Sequence, residues 1–108
     1  MPAAAPLVAQ ALYLPTEVGG QGLHLFLRRL PTGEARKGLL AAALRHPSPA
    51  DRRRAFVAGT LCTPDGTPLT LPPDELARLD ALGPDEWDDV LTKAAHLNGF
   101  APRRILLG

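Results

Sequence analysis

Residues 84–100 read PDEWDDVLTKAAHLNGF, and this stretch restricts the fold more than any other. Pro84 suits the first position of a helix, where its missing N–H is not needed. Asp85 and Glu86 follow where the positive end of the helix dipole favours carboxylates. Trp87, Val90, Leu91 and Ala94 recur at helical spacing and form one apolar stripe. Asp88, Asp89, Lys93 and His96 face the other way, with Asp89 and Lys93 as a supportive i,i+4 pair. Asn98-Gly99-Phe100 reads as a stop: Gly99 supplies a left-handed residue and Phe100 folds back onto Ala94 or Ala95. Pro102 blocks resumption of the helix.

The rest of the chain supplies partners for that stripe. Residues 1–11 are Ala- and Pro-rich and read as a flexible arm. Leu12-Tyr13-Leu14 is a short strand, 17–22 is a turn by composition, and Leu23, Leu25 and Leu27 alternate with His24, Phe26 and Arg28. A β-hairpin over 12–30 follows. Thr32 caps a helix over about 33–45, whose inner side is Ala35, Leu39, Leu40, Ala43 and Leu44. Ser48, Pro49 and Asp51 open a second helix to about residue 62, with Ser48 and Asp51 as a capping box. Phe56, Val57, Thr60 and Leu61 form its buried side, while Arg52, Arg53 and Arg54 crowd its first turns against the helix dipole. Thr63-Pro64-Asp65-Gly66-Thr67 is a turn, with Leu69 and Leu71 as extended anchors. Pro72-Pro73-Asp74-Glu75 opens a third helix over 73–82, with Leu76, Leu79 and Leu82 inward. The fourth helix is 84–98, and 103–108 is an apolar tail without periodicity. The fold class expected is mainly α: one small four-helix domain, 12–102, with an N-terminal β-hairpin.

At 108 residues the chain is one domain at most. Net charge is +1, but its distribution is split. Up to Pro64 there are eight Arg or Lys against three acids; from Asp65 to Pro102 there are two against eight. Opposite halves attract within one chain or between copies. The three arginines are therefore expected to meet acids from the Asp74-to-Asp89 region. A lone Cys62 excludes an internal disulfide and fits a reducing compartment. The start lacks the cationic region of a secretory signal, and no apolar run approaches the ~20 residues of a membrane span.

Chemical constellations are sparse. Asp85, Asp89 and His96 share a helix face, but hard cations want more oxygen ligands than this. Cys62 lacks a partnered base, since His24, His46 and His96 are scattered, and cysteine most often acts as a small buried residue. No glycine pattern matches a nucleotide loop. Neither catalytic, cofactor nor metal residues are assigned. Arg52, Arg53 and Arg54, with Arg28, Arg29 and Arg45, form a candidate phosphate-binding patch. No aromatics interleave with them, and the pI of about 8.0 is below that of a typical basic module. Trp87 and Phe100, with Ile105, Leu106 and Leu107, are either core or an exposed partner-binding stripe.

From Thr32 to Phe100 the order of features resembles the tail assembly chaperones of long-tailed phages. The similarity lies in a charged helix pair, then Asp65-Gly66-Thr67-Pro68-Leu69, a Leu-spaced short helix, and a last helix ending Ala94-Ala95-His96-Leu97-Asn98-Gly99-Phe100. Members often carry a similar D-G-x-P-L turn and a closing L-N-G. The resemblance implies a non-enzymatic protein of the host cytoplasm, absent from the mature virion. It implies that the protein binds the tape measure protein and helps tail tube protein polymerise, with no cofactor and no membrane. Self-association is the further contact that the charge split suggests. The alternative, from a different class, is a small nucleic-acid-binding regulator using Arg52 to Arg54.

Overall fold

Every helix after the first begins at a proline, and the architecture follows from that punctuation. The computed structural model describes residues 9–14 and 22–108. Two strands, β1 (Ala9–Leu14) and β2 (Leu23–Arg28), precede five helices: α1 (Gly33–Leu44), α2 (Pro49–Thr60), α3 (Pro73–Asp80), α4 (Pro84–Leu97) and α5 (Pro102–Leu107). The protein is mainly helical with an N-terminal antiparallel hairpin, as the sequence pattern predicts. Pro49, Pro73, Pro84 and Pro102 each stand in the first turn, where the missing N–H costs nothing.

The hairpin register runs from Ala9 opposite Arg28 to Leu14 opposite Leu23. Its inner face is Leu12, Leu14, Leu23, Leu25 and Leu27, all buried. Its outer face pairs Tyr13 with His24, ring centroids 4.5 Å apart. The far edge of β2 is used as well: Leu61 bridges Leu27, and Cys62 N–H donates to the Phe26 carbonyl at 2.9 Å. The chain leaving α2 therefore docks beside the sheet before turning toward α3.

Helix α2 is the hub. It packs against α1, α4, α5 and β2. Phe56 and Val57 are fully buried there, among Leu40 and Ala43 of α1, Val90, Leu91 and Ala94 of α4, and Ile105 of α5. The Trp87 stripe is thus covered as its periodicity requires. The caps divide into two kinds. Thr32 Oγ1 accepts from Ala35 N at 3.0 Å, as expected. Ser48 holds the N-cap position of α2, but its side chain makes no capping bond, so the expected capping box with Asp51 does not form. The end of α4 is a paired motif: Phe100 N–H donates to Ala95 O and Gly99 N–H to His96 O. Gly99 lies at φ +84°, the left-handed region where a side chain would be strained.

Two boundaries are corrected. The 1–11 arm overlaps the sheet, because β1 begins at Ala9; residues 1–8 and the turn at 15–21 lie outside the described residues. The 103–108 tail is helix α5. Pro102 does end α4's continuation, but it also starts a new helix, and Ile105 is drawn fully into the core between α2 and α4.

Candidate functional site

Helix α2 sorts its three consecutive arginines in three directions. Arg52 is saturated by backbone carbonyls. Its Nε donates to Ile105 O at 3.0 Å and its Nη2 to Leu106 O at 2.6 Å. Its Nη1 donates to His46 O and Pro47 O. One guanidinium thus fastens the α1–α2 corner to the C-terminal turn of α5, where free carbonyls and the negative dipole end favour a cation. Arg53 lies over the Trp87 ring, 4.8 Å from its centroid, with Nε buried and without an acceptor. Arg54 Nε pairs with Asp80 at 2.9 Å, both side chains about half exposed.

The expected basic-to-acidic contact is therefore corrected in part. Arg54 meets an acid of the predicted region. Arg52 meets carbonyl oxygens and Arg53 an aromatic face, because α5 and α4 bring those groups closer than any carboxylate. Arg52, Arg53 and Arg54 therefore do not form one free patch.

The candidate partner residues also separate. Trp87 and Ile105 are buried in the core, which removes them from any exposed stripe. Phe100 is half-buried, edge-on to Phe56 at 6.1 Å, and Leu106 is half-buried. Leu107 alone is open, at 74% exposure.

A concavity lies on the other flank of α2. It is an apolar groove of about 360 Å³ between α2 and the segment leading into α3. Ala55, Ala58 and Leu61 line one side, Leu69, Leu71 and Leu76 the other, with His46, Asp51 and Arg54 also contributing. A smaller hollow of about 210 Å³ adjoins it toward β2 and shares Leu61, Leu69 and Leu71.

The Asp65 turn shapes the groove. Gly66 N–H donates to Thr63 O and Thr63 N–H to Thr67 O, with Gly66 at φ +89°. The Asp65 carboxylate accepts from the Thr63 hydroxyl and from Thr67 N–H. Those bonds hold its pKa below the usual carboxylate value. The closed turn sends the chain back antiparallel, and Leu69 N–H donates to Leu61 O at 3.1 Å. Leu71 is buried by that return, while Leu69 stays 37% exposed on the groove wall.

His46 and Asp51 bring an imidazole and a carboxylate to the groove, and His24, Cys62 and Glu75 line the adjoining hollow. Cys62 is buried, with Sγ donating to Phe26 O at 3.3 Å, and burial pushes its thiol pKa up despite the opposing charge of Arg28. That is the reverse of an activated nucleophile. Among the described residues no three His, Cys, Asp or Glu side chains could hold a metal ion. Asp85 and His96 are exposed on α4, and Asp89 pairs with Lys93 at 3.2 Å. Among the described residues no helix is long and apolar enough to cross a membrane.

The reading of residue types misses Asn98. Its side chain is 2% exposed and makes three hydrogen bonds. Oδ1 accepts from Leu30 N at 2.8 Å; Nδ2 donates to Arg28 O and Ala94 O. An amide that both donates and accepts closes the end of β2 onto the end of α4. The only sequence signal was Asn before Gly, which already had a sufficient explanation as a helix stop. No family model, curated protein or solved structure matches the chain.

Proposed function

We propose that this protein is a tail assembly chaperone of a long-tailed phage or prophage, a non-enzymatic factor of the host cytoplasm that does not stay in the mature virion. It binds the tape measure protein and promotes polymerisation of tail tube protein around it. The observation that carries this reading is the groove beside α2. The Asp65-Gly66-Thr67-Pro68-Leu69 turn, which bears the family resemblance, delivers its last residue, Leu69, to the groove wall and leaves it exposed there. A hollow of about 360 Å³ is small for a cofactor site, near the low end of the ~300–1,000 Å³ range of ligand pockets. It suits two or three aliphatic side chains of an amphipathic helix laid along it. His46 and Asp51 line it, and no hydrogen bond joins them among the described residues.

The nucleic-acid alternative loses its main support, because Arg52 and Arg53 are engaged within the fold and Arg54 is paired. The test is co-expression with the tape measure protein from the same genome. The parent chain is expected to raise its soluble fraction and to co-purify with it, and Leu69→Glu to lose both effects. A tape measure protein equally insoluble with and without the chain overturns the proposal. A salt-dependent shift of random DNA by the purified protein would instead favour the regulator.

A further inference from the structure

Among the described residues three large apolar side chains stand exposed: Tyr13, Leu69 and Leu107. Leu69 walls the groove. Leu107 is the most open of the three and projects from the last turn of α5. Arg103 lies four residues before Leu107 and Arg104 three, so both share its side of the helix. Both arginines are exposed and make no ion pair or side-chain hydrogen bond among the described residues. The end of α5 is therefore one leucine flanked by two unpaired cations.

The groove has the complementary character. Its sides are Ala55, Ala58, Leu61 and Leu71, and the small alanines leave room for a branched side chain. Its rim holds His46, Asp51 and Arg54; Arg54 is paired with Asp80, whereas Asp51 is exposed and without a partner among the described residues. Within one copy the two features do not meet. Arg52 holds Ile105 O and Leu106 O, which fixes α5 with Leu107 still 74% exposed.

We infer that Leu107 of one copy docks in the α2 groove of a second copy, with Arg103 and Arg104 drawn to Asp51. The charge split of the sequence points the same way. Arg54–Asp80 joins the basic and acidic halves through an ion pair, and Arg103, Arg104 and Asp51 stay unpaired among the described residues. One leucine and a few exposed charges bury less than a stable interface requires, so association is weak and rises with concentration. A reciprocal pair, each copy giving its leucine to the other's groove, doubles the contact and closes it. This inference stands whether or not the groove also serves a tape measure protein.

Sedimentation equilibrium of the full chain from about 10 μM to about 1 mM tests it. The parent is expected to self-associate, more strongly at low salt than at high salt. Leu107→Asp removes the apolar anchor, and Ala58→Lys blocks the groove with a like charge for the arginines. Both positions are exposed, so circular dichroism should match the parent. Each variant alone is expected to weaken association at least about tenfold. An equimolar mixture of the two should associate more than either alone, since it restores one intact leucine and one intact groove. A parent that stays monomeric over the range overturns the inference. So do variants that associate like the parent, or a mixture that recovers nothing.

Discussion

The two flanks of α2 come from the same twelve residues, yet one is closed and the other open. On the closed flank Arg52 satisfies four carbonyls and Arg53 covers Trp87, although Arg53 Nε is left without an acceptor. On the open flank Ala55 and Ala58 face a groove, and the single ion pair, Arg54 to Asp80, is half exposed. The difference is one of neighbours rather than residue type. Three successive residues of one helix point about 100° apart, so identical arginines meet different surroundings. A charged triplet is not one site when a helix carries it.

Trp87→Ala should break the closed flank most severely. It leaves a cavity beneath Arg53, and a loss of about 3–5 kcal/mol is expected in urea unfolding. A melting curve equal to the parent's would mean that the ring contributes nothing to the packed side. Asn98→Ala comes next. It strands the Leu30 N–H and the Arg28 and Ala94 carbonyls, a loss of about 3 kcal/mol. Amide exchange at Leu30 should quicken with it, and unchanged protection would refute the role given to the side chain.

Arg52→Ala should cost about 2 kcal/mol, since charge-assisted bonds to carbonyls exceed neutral ones. Exchange should rise first in α5; if α5 amides stay as protected as in the parent, the fastening is not Arg52's. The open flank gives the smallest effect. Arg54→Ala removes an exposed pair and should change stability by less than about 1 kcal/mol, with the change fading in high salt. A loss as large as that of Arg52→Ala would erase the contrast between the flanks.

Much of the fold is legible in the residues because the helix starts carry local signals. Thr32 and the prolines at 49, 73 and 84 mark first turns within a residue of where they lie. Pro102 does not, since a proline after a helix stop reads equally as a terminator or a beginning. Six residues are too few for periodicity to decide between them. The central place of α2 is hidden for another reason. Its arginines interrupt the apolar pattern, and the acceptors of Arg52 in α5 lie 53 and 54 positions away. The groove is assembled from the α1–α2 corner, one side of α2, the return after the Asp65 turn and the start of α3. None of those segments announces a concavity alone. The pattern therefore allowed an exposed Trp87–Leu107 stripe, whereas packing kept Trp87 and Ile105 and released only Leu107.

The Asn98 bond to Leu30 spans 68 positions, and that span sets an order of events. During synthesis the hairpin, α1 and α2 leave the ribosome while the Leu30 amide still lacks its acceptor. The closure waits until the last turn of α4 has emerged. Its entropic cost grows only slowly with the length of intervening chain, but the search for it is long-range and slows folding. A nascent chain halted before residue 98 can dock α2 beside β2 through Leu61 and Cys62, but the end of β2 still lacks its tie to α4. The Asn98 amide supplies that tie last, joining Leu30 and Arg28 to Ala94.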